Sequence, residues 1–288
     1  MLKFKRSVQI PSISRLAVGQ LLVIGLIFFI FLWHYPTCPT CSTATAASKD
    51  CKLSLLESDG FFCEPDYLWK ERKHSHRLQD KANMNYKNTS FFFLDNWTPD
   101  FHCSNARRIG STGEGGKWVC DPHQLKSRSN CLVYSAGSNG EYSFEFGMKE
   151  AMPHCEIHTF DKDLHPYPNG TCIFHTVYLG DGRTFSKTWT TIVNELNHTN
   201  RIIDIFKIDI EGDEHGFMPV VFAGSSSSFP RQILIELHPH NTYDMNAVFK
   251  LLRSKNYVIF SKEQNLLAGQ YYFEYSFLRM NQRFFTKP

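Results

Sequence analysis

The chain has 288 residues, 42% hydrophobic and 15% aromatic, enough apolar side chain for one good-sized core with appendages. Its formal net charge is only +3, and beyond the first fifteen residues the lysines and arginines are scattered. A nucleic-acid partner, which needs a concentrated basic face, is therefore not expected.

Residues 1–15 read as a cytosolic tail and 16–33 as a membrane segment. From Leu16 to Trp33 the run LAVGQLLVIGLIFFIFLW carries no charge and one polar amide, Gln20. At a helical rise of about 1.5 Å per residue it spans roughly 27 Å, close to a bilayer core. Lys3, Lys5, Arg6 and Arg15 precede it, and the next lysine or arginine is Lys49. The positive-inside rule then leaves the N-terminus in the cytosol and sends the rest into the secretory lumen, as in a single-pass type II membrane protein of the ER or Golgi. The alternative is a cleaved signal peptide, cut near Ala44-Thr45-Ala46.

Residues 34–84 read as a lumenal stem, Thr/Ser/Ala-rich at first and then charged from Lys70 to Lys81, where His74 and His76 sit on a solvated linker or helix face. All nine cysteines follow the membrane segment, and the odd count leaves at least one thiol outside any intramolecular pair. Cys38 and Cys41 fall in the stem and suit a linker or interchain bridge. Cys103 with Cys120 and Cys155 with Cys172 are the expected pairs, because each joins neighbouring segments. Glycosylation sequons begin at Asn88, Asn96, Asn169 and Asn197.

Residues 85–288 read as the main domain. From Cys131 short apolar runs alternate with helix-length segments, the pattern of a parallel sheet with crossover helices. CLVYSA (131–136) is a first strand, followed by a glycine turn and a helix from Glu141 to Ala151. EIHTF (156–160) and CIFHTVYL (172–179) are the second and third strands, and a helix over 188–197 leads to DIFKIDI (204–210), the fourth. A short helix over 216–223 precedes QILIELH (232–238), the fifth, and a helix over 245–254 precedes YVIFSKE (257–263) and YYFEYSFLRM (271–280), which form a terminal hairpin. The expected fold is α/β: a Rossmann-like, doubly wound, mostly parallel seven-stranded sheet.

In such sheets ligands sit beyond the carboxyl ends of the strands. The first strand runs into Ala136-Gly137-Ser138-Asn139-Gly140, where glycines allow close backbone approach. Asp161 ends the second strand, 24 residues beyond Gly137, and a carboxylate there can accept both ribose hydroxyls of a nucleoside. The fourth strand ends in Lys207-Ile208-Asp209-Ile210-Glu211, and alternation sets Lys207, Asp209 and Glu211 on one side. The fifth ends in Glu236-Leu237-His238-Pro239-His240. Adjacent carboxylates and imidazoles can supply a general base or ligands for a divalent metal.

VYSAGSNGEYSFE, HTFDKD and FKIDIEGDEHG resemble the Methyltransferase-like protein 24 group and, more distantly, the FkbM-type methyltransferases; RRIGSTGEGGKWVCD (107–121) resembles the segment that precedes the fold in that group. The resemblance covers roughly residues 85–288. It implies a class I S-adenosylmethionine-dependent methyltransferase, with Gly137 and Asn139 against the methionine part of the cofactor, Asp161 against its ribose, and Asp209 and Glu211 at the reaction edge. Many such enzymes hold the methionine amine with an acid two positions before the first glycine; here that position is Ser135, with Glu141 or Glu145 as compensating candidates.

The expected chemistry is methyl transfer to an acceptor oxygen, aligned by the protein and assisted by proton removal. His238 leads as base because an unperturbed imidazole titrates near neutrality; His240, Asp209 and Glu211 are the reserves. The compartment makes a glycan or secretory protein the expected acceptor. A lumenal glycosyltransferase is one rival, since Asp161-Lys162-Asp163 has the Asp-x-Asp form that holds a metal-bound sugar nucleotide. A catalytically silent methyltransferase-like scaffold is the other, favoured by Ser135.

Overall fold

The computed structural model describes residues 50–79, 91–267, 269 and 271–286. The expected membrane segment, Cys38, Cys41 and the sequon at Asn88 lie outside them, and no described helix is long and apolar enough to cross a membrane. The chain divides into Met1–Ala47 and Ser48–Pro288, and the second unit contains all the described residues.

Two helices come first, Lys52–Glu57 (α1) and Asp66–Gln79 (α2), joined by a disulfide between Cys51 and Cys63. They fall within the expected stem, yet Trp69 of α2 is fully buried against Phe62, Phe101 and Phe284, and its indole donates to Glu57 at 2.7 Å. His76, expected on a solvated face, is buried too, its Nδ1 3.1 Å from the Asp100 carbonyl. The charged stretch hid this packing: its apolar contacts are few and large, and Lys73 enters the same core only because Glu57 meets its ammonium at 2.7 Å.

A one-turn helix, Phe92–Asp95 (α3), and an antiparallel hairpin, Arg107–Ile109 (β1) with Lys117–Val119 (β2), precede the sheet. The sheet strands and their helices are Leu132–Ala136 (β3), Ser143–Ala151 (α4), Glu156–Asp161 (β4) and Ile173–Thr176 (β5). A small parallel pair, Tyr178–Leu179 (β6) and Ser186–Lys187 (β7), splits the end of the expected third strand from the sheet. Trp189–Glu195 (α5), Ile205–Ile208 (β8), Glu214–Val221 (α6), Gln232–Leu237 (β9), Thr242–Ser254 (α7), Tyr257–Gln264 (β10), Phe273–Arg279 (β11) and Gln282–Phe285 (α8) complete the order.

The seven strands lie in the order β10-β11-β9-β8-β3-β4-β5. All run parallel except β11, which sits antiparallel between β9 and β10. The order reverses between β3 and β8, so their carboxyl ends part at a crevice, where doubly wound sheets place ligands. This is a Rossmann-like, doubly wound, mostly parallel seven-stranded sheet. Alternation splits the core: Tyr134 and Ala136 of β3 face a layer with Trp189, Phe217 and Phe249, whereas Val133 faces Trp69, Phe144 and Met148.

Cys103 pairs with Cys120, as expected, at a Cα separation of 5.7 Å. The expected Cys155–Cys172 bridge is not formed: Cys155 pairs with Cys131 at a Cα separation of 4.6 Å, and Cys172 is a free thiol. Parallel register explains the change. Leu132 lies level with Glu156, so the residues leading into β3 and β4 face each other, whereas Ile173 lies level with His158, which sets Cys172 two positions further along.

Candidate functional site

The turn after β3 is built by close backbone approach. Gly137 has φ +75° and donates its amide to Phe160, while Asp209 donates its amide to Ala136. A Cβ on Gly137 would stand 1.6 Å from the Asp209 carbonyl oxygen, so no other residue fits there. Lys207 secures the same turn, its buried ammonium donating to the Gly137 carbonyl at 2.8 Å.

Asp161 ends β4 facing this turn. Its Oδ2 accepts from the Ser138 and Asn139 amides, each at 2.8 Å, and from the Ser138 hydroxyl at 3.2 Å; Oδ1 accepts only the Asp163 amide, at 3.0 Å. Burial alone would raise its pKa, but these bonds to the charged form hold it below the usual carboxylate value. A cleft of about 190 Å³ runs from here across the switch point, lined by Gly137, Asn139, Asp161, Tyr178, Asp209 and Glu211 among others. Tyr178 reaches over it to donate to Asp213 at 2.8 Å.

Beyond the cleft, β8, β9 and β11 carry a buried ionic cluster. The Lys117 ammonium, delivered by β2, stands 2.5 Å from Glu274 and 3.3 Å from Asp209. Burial works against its charge, but Glu274 and Asp209 hold its pKa above the ordinary lysine value. The Glu236 pKa is pushed up to about 8 by burial and then by the charges of Asp209 and Glu274, and Asn265 donates to it at 2.9 Å. Asp209 moves the other way: burial opposes ionisation, yet Lys117, Lys207 and a hydrogen bond from Glu236 lower its pKa. The proton of this carboxyl pair therefore rests on Glu236 and the charge on Asp209.

His238 lies 3.1 Å from Glu214 and 3.4 Å from Glu211. Burial disfavours its charge, but the adjacent Glu214 carboxylate, then Glu236 and Asp209, raise its pKa to about 9. The upward shift favours the imidazolium, so the unperturbed titration expected of it is not what the fold produces. Glu214, fully buried, also accepts from the Ile210 and Gly212 amides at 3.0 and 3.2 Å, shaping the loop in which Glu211 takes φ +58°.

The structure brings Gly137, Asn139, Asp161, Asp209 and Glu211 to one cleft, with His238 in contact with Glu211. His240 stands apart, its half-exposed ring 2.9 Å from Asp244 in the first turn of α7. Ser135 is fully buried beneath the turn, in register with Thr159 and Lys207. Glu145 reaches that row, accepting from Thr159 at 3.2 Å, whereas Glu141 accepts from the Ser143 amide at 2.9 Å. Sequence reasoning missed Lys117, Glu214 and Glu274. For Lys117 and Glu274 the one signal was charge inside a strand, as in Phe273-Glu274-Tyr275, whereas Glu214 opens a helix after a polar loop and gave none.

The donor atoms of Asp209, Glu236 and His238 lie within 4.8 Å of one another, as do those of Asp161, Asp163 and His165. Lys117 lies beside Asp209 in the first set, and three of the four hydrogen bonds to Asp161 in the second fall on Oδ2. The Gly137–Asp161 cleft does fit a nucleoside-bearing cofactor, because the turn leaves no side chain in the way and Asp161 Oδ1 keeps accepting capacity.

No curated protein matches the sequence. Among solved structures the chain is similar to a putative ribosomal RNA methyltransferase from Plasmodium falciparum (11% identity, 56% of this chain and 91% of that one, TM-score 0.37). It is also similar to Aeropyrum pernix fibrillarin with bound S-adenosyl-L-methionine (11% identity, 62% and 84%, TM-score 0.34). A third is the 1,6-didemethyltoxoflavin-N1-methyltransferase of Burkholderia thailandensis (11% identity, 53% and 72%, TM-score 0.33). Likenesses this distant say nothing of acceptor or mechanism. The family profile described as a methyltransferase domain matches residues 52–279, from α1 to the end of β11, and the chain belongs to that family.

Proposed function

We propose that this chain transfers a methyl group from S-adenosylmethionine to a hydroxyl oxygen on a glycan or protein of the secretory lumen. The observation that carries the reading is a single cleft joining the glycine turn and Asp161 to the ionised Asp209. When bound, the cofactor supplies an electrophilic methyl group on a sulfonium sulfur.

The chain's own residues do the rest. Gly137 and Asn139 lie against the methionine part, and Asp161 accepts from the ribose. Asp209 receives the proton of the acceptor hydroxyl as the new carbon–oxygen bond forms and the carbon–sulfur bond breaks. Lys117 and the His238 imidazolium keep Asp209 ionised until then. Asp209 thus replaces His238 as base, because a group already holding its proton cannot accept another.

Methyltransferase-domain membership goes against the glycosyltransferase alternative. The sequence resemblance to the Methyltransferase-like protein 24 group supports the narrower reading. Lumenal placement draws support from the apolar run 16–33, from three disulfides, and from exposed sequon asparagines at 169 and 197. Glycosidase treatment should lower the apparent mass of the expressed protein, and Asn169→Gln with Asn197→Gln should remove part of the shift. An unshifted protein with a protease-accessible C-terminus in sealed vesicles overturns the compartment.

A second reading, the silent scaffold, is favoured by Ser135 standing where an acid commonly holds the methionine amine. Calorimetric titration of the full-length chain with S-adenosylmethionine decides between them. Saturable binding supports the enzyme, and none at millimolar cofactor leaves the scaffold.

A further inference from the structure

At the opposite edge of the sheet, where β8 and β9 begin and β11 ends, a second cavity of about 540 Å³ is lined by three arginines, Arg201, Arg231 and Arg279, and by the serines 225–227. Arg231 and Arg279 are neighbours, since the Arg279 amide donates to the Arg231 carbonyl at 2.8 Å. Their guanidinium groups are under-used. Arg231, only 7% exposed, donates to the Ser58 carbonyl at 3.2 Å, but its Nε has no hydrogen-bond partner. The Arg279 Nε is likewise buried without a partner, and its Nη1 donates only to the Ser226 carbonyl, at 2.9 Å.

The charge is also unbalanced. Asp204, fully buried, is 2.9 Å from Arg128 and 3.8 Å from Arg231, so one carboxylate serves two cations. Arg201 has Glu156 at 2.6 Å. Arg279 has no carboxylate within 4 Å among the described residues and lies over the Phe229 ring, against which Lys255 also packs. Asp59 at the rim is held by Asn281 at 2.7 Å. Burial and the neighbouring Arg128 lower the Arg231 pKa, as crowded like charge does.

We propose that this cavity is a binding site for a tetrahedral oxyanion, a phosphate or sulfate group either free or as an ester on a small sugar. Guanidinium forks match such groups bidentately, and a buried donor without a partner is costly until one arrives. Ser225 and Ser227, with hydroxyls 2.9 Å apart, stand on the same wall to add donors. Neither the methyl-transfer chemistry nor its cleft takes part.

The test measures binding of inorganic sulfate and phosphate to the full-length chain by thermal shift and calorimetry, against chloride at matched ionic strength. Saturable binding beyond the chloride control is expected. Arg279→Gln, at a half-buried position, should weaken it at least about tenfold and leave S-adenosylmethionine affinity unchanged; Arg279→Lys, which keeps charge without the fork, should fall between. Tighter binding of glucose 6-sulfate or 6-phosphate than of the free ions marks an ester ligand, and equal binding marks the ion. No response beyond chloride, or an undiminished response in Arg279→Gln, overturns the proposal. Since cofactor titration is read separately, failure here leaves the methyltransferase reading standing, and the reverse also holds.

Discussion

The two halves of the candidate site are built by different means. At the ends of β3 and β4 the working parts are backbone: a positive-φ glycine and amides gathered on Asp161. At the ends of β8, β9 and β11 they are side chains drawn from residues 117 to 274, held in place by one another's charge. A backbone site follows from local sequence, and its amides favour the charged form of Asp161. Among the converging buried charges the shifts run both ways, up for Glu236, Glu274 and His238 and down for Asp209.

That contrast can be broken most sharply at Asp161. Asp161→Ala removes the carboxylate proposed to accept two ribose hydrogen bonds, each charge-assisted and worth about 1.5–3 kcal/mol, so cofactor affinity should fall by roughly two to four decades. The amides of Ser138 and Asn139 also lose their acceptor, and the turn should loosen in hydrogen exchange. Equal affinity in wild type and variant by calorimetry would remove Asp161 from the site.

Asp209→Asn tests the other half, where turnover should drop about 100- to 10,000-fold while cofactor affinity stays within about threefold. If His238→Gln costs more in single-turnover rate than Asp209→Asn, the proton goes to the imidazole after all. Stability probes the ionic cluster itself. Lys117→Met leaves Glu274 and Asp209 buried without their counter-charge and should destabilise the fold by about 3–5 kcal/mol in denaturant titration. Lys117→Met with Glu274→Gln should recover part of that loss; a single variant as stable as wild type would show the cluster to be indifferent to Lys117.

The smallest effect is in pH. Glu236 at about 8 and His238 at about 9 are raised above their unfolded values, so both bind protons more tightly when folded. Glu236 loses its contribution as pH climbs from about 4.5 towards 8, and His238 from about 6.5 towards 9. His175, which hydrogen-bonds His158 at 2.8 Å, behaves oppositely. Burial and the neighbouring His158 and His198 depress it to about 4, so its contribution is lost as pH falls from about 6.5 towards 4. The Glu236 and His175 contributions therefore oppose each other between about pH 4.5 and 6.5, the melting temperature should decline above that range, and Glu236→Gln should flatten the decline up to about pH 8 while steepening the acid side.

Strand and helix positions from residue 131 onward were readable because apolar runs, breaks and a terminal hairpin are local patterns: QILIEL is β9, and FKI with DIEG beyond it is the end of β8. The glycine turn and Asp161 were readable for the same reason, since a fixed spacing along two adjacent parallel strands becomes a fixed geometry. Periodicity could not reveal the packing of Trp69, because α2 is charged along most of its length and buries through a few large contacts. Nor could it pair Cys131 with Cys155, which depends on the register of two strands rather than on separation in the chain.

Sequence pattern alone was enough to establish the α/β class and the succession of strands along the chain from residue 131, and to bring the glycine turn and Asp161 together, since each depends on interactions within one or two successive elements. Which charges meet at the ends of β8 and β9 was settled by folding. Lys117 comes from a hairpin outside the sheet and Glu274 from the last strand, and only when β11 inserts between β9 and β10 do they meet Asp209 and Glu236. Their mutual field in a dry interior, not the intrinsic chemistry of any one residue, raises the pKa of His238 and lowers that of Asp209.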